Sequence, residues 1–292
     1  MQAFLKKTGK ALGVLLFWIG VWALLSWRVN QELLLPSPGA VFLRLFELAA
    51  TGGFWLTLLS SLWKILLSIL AAVLLGVLLA LATRRFSLLR ALFAPLLSMI
   101  KSTPVASFII LALVWMGRSF VPPFICALMV IPIVWENVSA GIANTDPALL
   151  ELGKVYRLSG GKILRKIYVP SVMPYFLSAC RASMGLAWKA GIAAEVLTVP
   201  GNSIGKMIYE SKLYLETTDL FVWTVAVILL SFLLEKAAMK LIGTLGRRCN
   251  ANEVTANARD AMPNKGRFIF PMALKGSALI LCISSKKPLV II

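Results

Sequence analysis

Residues 56–83 read LTLLSSLWKILLSILAAVLLGVLLALAT, an unbroken apolar run with one charge, Lys64. A helix crossing a bilayer needs about 20 predominantly apolar residues, and this run exceeds that length. In hydrocarbon every backbone N–H and C=O must be paired within the segment, so the run is predicted to be a spanning helix.

The same test applied outward finds five more runs, at roughly 11–27, 88–117, 120–142, 172–199 and 220–246. The first is long for the core of a cleaved signal, and no small-residue cleavage site follows it, so a retained helix is expected. The whole chain agrees: 59% of its residues are hydrophobic and 14% are charged. Soluble domains carry about 25% charged residues. The expected fold class is an all-α, polytopic bundle of six transmembrane helices, with a membrane domain over 1–246.

Charge predicts the orientation. Lys6, Lys7 and Lys10 precede the first run, and Arg84, Arg85 and Arg90 fall in the second turn. Lys154, Arg157, Lys162, Arg165 and Lys166 lie between the fourth and fifth runs. The alternate loops are sparser: Arg28 and Arg44, then Arg118, then Lys206 and Lys212. Loops rich in Lys and Arg stay in the cytoplasm, so both termini and the 143–169 segment are expected inside. Anionic lipid headgroups account for the net charge of +18, and no nucleic-acid partner is implied.

Several chemistries are excluded by what is missing. The chain has no histidine, the commonest general base and metal ligand. Its cysteines, Cys126, Cys180, Cys249 and Cys282, show no metal-binding or disulfide spacing. No catalytic residue, metal site or cofactor is expected. Residues 158–162, LSGGK, come within one letter of the LSGGQ signature of ATP-binding cassette (ABC) ATPases. There is no GxxxxGK[ST] loop to cradle a phosphate, so the string is not part of a complete nucleotide site.

The segment around that string is NTDPALLELGKVYRLSGGKILRKIYVPSVMP, residues 144–174. Asp146 followed by Pro147 is a helix start, an acceptor cap and then a proline at the first helical position. Leu149, Leu152, Val155 and Tyr156 form one apolar stripe at helical spacing. Gly160 and Gly161 are expected to break this helix. Ile163, Leu164, Ile167 and Tyr168 then form a second stripe, and Pro170 opens the next span. The sequence therefore predicts two short amphipathic helices joined by a glycine turn. They fit either an interfacial pair lying on lipid or a docking element set into a partner's groove.

This stretch resembles the EAA loop of ABC importer permeases. Glu151 takes the Glu position, and Leu152 and Gly153 stand where two alanines recur. Ile167, Val169 and Pro170 take the Ile-x-Leu-Pro end. One departure is clear: the family's glycine falls on Arg157. The segments KSTPVASFIILALVWMG (101–117), WENVSAGI (135–142) and GLAWKAGIAAEVLTVPGNSIGKMI (185–208) are similar to the nitrate/sulfonate/taurine branch, in order. The resemblance implies a homodimer of permease subunits in the inner membrane of a prokaryote. Two cytoplasmic ATPases would bind ATP and grip the 145–170 loops through Leu149, Glu151, Leu152, Tyr156 and Arg157. An extracytoplasmic solute-binding protein would deliver a small anion resembling nitrate, sulfonate or taurine. A self-sufficient secondary transporter or channel is the competing reading.

Charges at membrane depth are costly and usually face a cavity or a partner. On the fifth run, Arg181 and Glu195 fall within about 40° of each other on a helical wheel, with Lys189 about 80° from Arg181. These three, with Lys101 and the helix-interrupting Pro104, are the expected lining of a translocation route. Structural pairing with neighbouring helices is the alternative. Residues 247–292 are expected to be a cytoplasmic appendage, mostly disordered.

Overall fold

The computed structural model describes residues 2–260, and every regular element among them is helical. The chain divides into two compact units between Ala251 and Asn252. Of the appendage expected over 247–292, residues 261–292 lie outside the described residues.

All six apolar runs are helical. They are covered by α1 (Gln2–Val29), α3 (Gly52–Arg85), α4 (Ser87–Ser102) with α5 (Val105–Trp115), α6 (Val121–Ala143), α9 (Val169–Thr198) and α11 (Thr217–Asp260). Among the described residues three are long and apolar enough to cross a membrane: α3, α6 and the Thr217–Lys240 part of α11. The α9 helix is as long but less apolar, and the apolar part of α1, Leu16–Val29, is short.

The expected run over 88–117 is interrupted, and forms a broken span or a re-entrant loop. It is two helices, α4 and α5, bent by 111°. The cause is the Ser102-Thr103-Pro104 sequence. Pro104 has no N–H to continue the ladder, and its ring forces the preceding residue out of the helical region. Thr103 is accordingly extended, with φ −88° and ψ 137°.

The core is the packing of α3, α6 and α9. Ile65, Ile69 and Ala72 of α3 meet Val130, Val134 and Val138 of α6, and Ala187, Trp188 and Ile192 of α9. Small residues set the approach, as expected where lipid supplies no hydrophobic drive between helices. A Cβ on Gly76 would lie 2.8 Å from Val134 Cβ, and one on Gly191 would lie 2.7 Å from Cys126 Sγ. The indole N–H of Trp135 donates to Thr83 Oγ1 at 2.9 Å, pinning α6 to the end of α3. A second cluster joins Leu97, Ile109, Ile125, Met129 and Ala194 across α4, α5, α6 and α9.

Two helices were not foreseen in the sequence. The first, α2 (Pro38–Ala49), starts at Ser37, whose Oγ accepts from the Ala40 N–H. Arg44 of α2 holds Asp219 of α11 through two bonds, at 2.7 and 3.1 Å. The carboxylates of Asp219 and then Glu47 keep the Arg44 guanidinium charged well above its ordinary range. The second, α10 (Ile204–Leu213), follows α9 closely and is capped by Ser203.

Candidate functional site

The 145–170 loop begins as its sequence dictates. Asp146 Oδ1 accepts from the Ala148 N–H at 2.8 Å, and Pro147 opens α7 (Pro147–Val155). One side of α7 is closed at Gly153, where an added Cβ would meet Ile167 Cδ1 at 3.2 Å and Ile163 Cγ1 at 3.5 Å. Gly153 therefore stands at one of the alanine positions because the second half of the loop packs against it. The expected stripe is left uncovered. Leu149, Leu152, Val155 and Tyr156 are 44%, 53%, 77% and 71% exposed. Glu151 is exposed beside them.

The joint differs from the glycine turn that the sequence suggests. The Arg157 N–H bonds Lys154 O and the Leu158 N–H bonds Gly153 O, both at 2.9 Å. This is the Schellman pattern, which satisfies two carbonyls left over at the end of a helix and needs a left-handed residue one place past the cap. Arg157 is that residue, with φ 48°. The turn is therefore at the position where a glycine is usual, and Arg157 takes its strained conformation. Left-handed backbone costs an L-residue roughly 1–2 kcal/mol.

Gly160 and Gly161, expected to make the turn, instead open a second helix, α8 (Gly160–Ile163). An added Cβ at either would meet nothing within 4 Å. A five-residue π turn, Leu164–Tyr168, follows, with the Val169 N–H bonding Leu164 O. It continues directly into α9, where Pro170 takes a first-turn position that needs no N–H. Ile167 is buried, Ile163 and Tyr168 are half-buried, and Leu164 is exposed. The second stripe thus serves the interior, and the first is free. Beneath the π turn, an apolar cavity of about 570 Å³ is walled by Val77 and Leu81 of α3, Val138 of α6, and Val172 and Phe176 of α9. Arg84 stands among these residues.

The charges on α9 do not share one environment. Glu195, grouped by angle with Arg181 and Lys189, is 1% exposed. It accepts from Ser61 Oγ at 2.8 Å and from the Gly205 N–H at 3.2 Å. Ser61 Oγ in turn accepts from the Ile204 N–H at 2.9 Å. The carboxylate thus receives the unbonded N–H end of α10, where a negative charge is favourable. The approach requires glycine, since a Cβ on Gly205 would fall 2.3 Å from Glu195 Cβ. Glu195 is enclosed at the meeting of α3, α9 and α10, off the exposed face that Arg181 and Lys189 occupy. Neither of those two makes an ion pair among the described residues.

Lys101 has a partner that helical angle on one helix does not show. Its ammonium bonds Glu136 Oε2 of α6 at 2.5 Å. Pro104 is exposed and caps α5. The signals for these pairings were thin. Ser61 and Gly205 are single small residues in longer patterns, and Glu136 lies 35 residues from Lys101.

Known proteins resemble this chain in sequence and in fold. The pattern of the binding-protein-dependent transport system inner membrane component family matches residues 72–248. The chain is 28% identical over 228 residues to the putative aliphatic sulfonates transport permease protein SsuC of Escherichia coli (strain K12). That match covers 76% of this chain and 85% of the relative. It is 23% identical over 221 residues to the taurine transport system permease protein TauC of the same strain, covering 73% and 80%. Its fold is similar to a chain in the crystal structure of an amino acid ABC transporter with histidines, with a TM-score of 0.52 and 16% identity. That similarity covers 65% of this chain and 91% of the other.

Proposed function

The chain belongs to the family of binding-protein-dependent transport system inner membrane components, so it is the permease subunit of an ABC importer. From that premise we propose that it works as a homodimer in the cytoplasmic membrane of a prokaryote, with both termini and the 145–170 loop inside. Two cytoplasmic ATPase subunits bind the ATP and grip these loops. A solute-binding protein delivers cargo on the other side. The chain carries out no chemistry of its own and holds no cofactor.

The carrying observation is the exposed stripe Leu149, Leu152, Val155 and Tyr156 on a helix whose opposite face is packed. Four apolar side chains at helical spacing fit a groove in a protein partner. The loop then passes without a break from Gly160 into α9. A push on α7 reaches Ile163 and Ile167 through Gly153, and from there the helix that packs against α6 and α3. This is how closure of an ATPase dimer would alter access to the route.

The cargo we propose is a small oxyanion-bearing solute. Relatives named for aliphatic sulfonates and for taurine support this class. Arg181, Lys189 and Lys101 are the exposed cations suited to an anion, and Pro104 marks the break in the wall. The test is uptake of aliphatic sulfonates by proteoliposomes holding the chain with and without the ATPase and the solute-binding protein. Uptake that needs ATP and both partners is expected. Uptake by the chain alone would make it a self-sufficient transporter and overturn the proposal. Leu152→Asp is expected to reduce ATPase co-purification at least tenfold, and undiminished binding would remove the stripe from the interface.

A further inference from the structure

The Lys101–Glu136 pair is in an unusual place for an ion pair. Glu136 is seven residues before the end of the 23-residue α6 (Val121–Ala143), hence about 10 Å inside the helix end at 1.5 Å per residue. The helix is about 35 Å long and the hydrocarbon core of a bilayer about 30 Å thick, so a helix centred on the bilayer holds Glu136 within the core. The two side chains are nevertheless 48% and 57% exposed. Hydrocarbon solvates neither group, and charges at such depth face a cavity or a partner. The backbone beside them is also irregular, with the 111° break at Thr103–Pro104. Non-helical backbone at membrane depth is tolerated only inside protein or against water. Two independent features thus turn this face away from lipid.

The surroundings form a small cavity of about 120 Å³, lined by Ala94, Leu97, Ser98, Lys101, Pro132, Trp135 and Glu136, of mixed polar and apolar character. Its Trp135 wall is fixed, since the indole is already bonded to Thr83. The Lys101 ammonium has three donors, and the only bond it makes among the described residues is to Glu136. The cavity therefore has a cationic side, and the single carboxylate of Glu136 occupies it.

We propose that Lys101 and Glu136 form an anion-binding latch in the translocation route. At rest Glu136 fills the site and ties α4 to α6. A passing solute with an oxyanion head, such as a sulfonate, takes over the Lys101 ammonium and releases Glu136. The inference rests on the transport reading above and adds a specific site to it.

The test is thiol labelling at Ser98, in the same cavity, which leaves Lys101 intact. Ser98→Cys is placed in a chain whose four native cysteines are replaced, and studied in membrane vesicles with the ATPase and solute-binding protein. The probes are 2-sulfonatoethyl and 2-(trimethylammonium)ethyl methanethiosulfonate, with rates normalised to a free thiol. Glu136→Gln is expected to raise the preference for the sulfonate reagent at least tenfold. Lys101→Gln is expected to abolish it, and Lys101→Arg, which keeps the charge, to retain it. A cysteine at 98 that neither reagent reaches would mean that lipid or a second copy covers the pair, and would overturn the proposal. So would a preference indifferent to Lys101→Gln with Lys101→Arg folded. Failure of the transport reading would appear separately, as uptake that does not depend on ATP.

Discussion

Four helices among the described residues, α1, α7, α9 and α10, end on a left-handed residue that is not glycine, and two of these ends, those of α7 and α9, are used in opposite ways. The α7 helix stops at Arg157, with φ 48°, and α9 stops at Val199, also with φ 48°. Around Arg157 the chain is exposed, and the apolar stripe beside it has no partner among the described residues. Around Val199 the chain is locked. Pro200 and Ser203 are buried, Ser203 Oγ donates to Pro200 O, and Glu195 receives the start of α10. Strained backbone persists only where the surrounding structure over-determines it. At Val199 the surroundings are tertiary. At Arg157 they are two backbone hydrogen bonds of the Schellman pattern. The first arrangement makes a fixed corner, and the second a handle.

The contrast predicts where substitution harms the fold and where it harms only function. The largest effect on stability is expected at the locked corner. Gly205→Ala drives a methyl group into Glu195 and its backbone, where no flexible side-chain end can give way. A loss of about 3 kcal/mol is expected, at the upper end for overpacking. Thermal unfolding of the purified chain in detergent measures it, and an unchanged midpoint would mean that the corner is not locked. At the handle, Leu152→Asp is expected to change stability by less than about 0.5 kcal/mol, as for an exposed site. A large drop in its melting temperature would show that the stripe is part of the fold.

Smaller effects sharpen the picture of the joint itself. Arg157→Gly removes the left-handed strain and adds freedom to the unfolded chain, for a net gain of about 0.5–1 kcal/mol. A loss in the same unfolding measurement would move the turn elsewhere. Gly160→Ala and Gly161→Ala, in the first turn of α8 with open space at each Cβ, are expected to be neutral or to stabilise by up to about 1 kcal/mol each. If either destabilised the protein, the glycine pair would be a turn after all.

Much of the architecture was legible in the sequence because it follows from local rules. A run such as 56–83 has to be a helix once it is in lipid, whatever surrounds it. Asp146-Pro147 caps α7 with atoms from its own segment. The spacing of Leu149, Leu152, Val155 and Tyr156 puts them on one face by the helical repeat alone. Glycine was less reliable as a signal. Gly160 and Gly161 read as a turn because glycine permits one, but permission is not a requirement. The hydrogen bonds that end α7 require the left-handed residue at 157, whatever side chain it carries.

The tertiary structure decided which charge has which role. Helical angle placed Arg181, Lys189 and Glu195 on roughly one half of α9, since angle is all that one helix contains. Whether a carboxylate at that angle meets a cavity or a neighbour depends on how closely another backbone approaches. Here Gly205 allows α10 to come against Glu195, and Ser61 of α3 completes the set. In the same way Lys101 and Glu136 become a pair only because α4 ends at its proline break next to α6. The sequence by itself determined a helical membrane protein whose 145–170 loop carries an apolar helical stripe, because solvent and periodicity act within a segment. The pairing of its buried and half-exposed charges was decided by the packing of segments far apart in the chain, through distances that no single segment encodes.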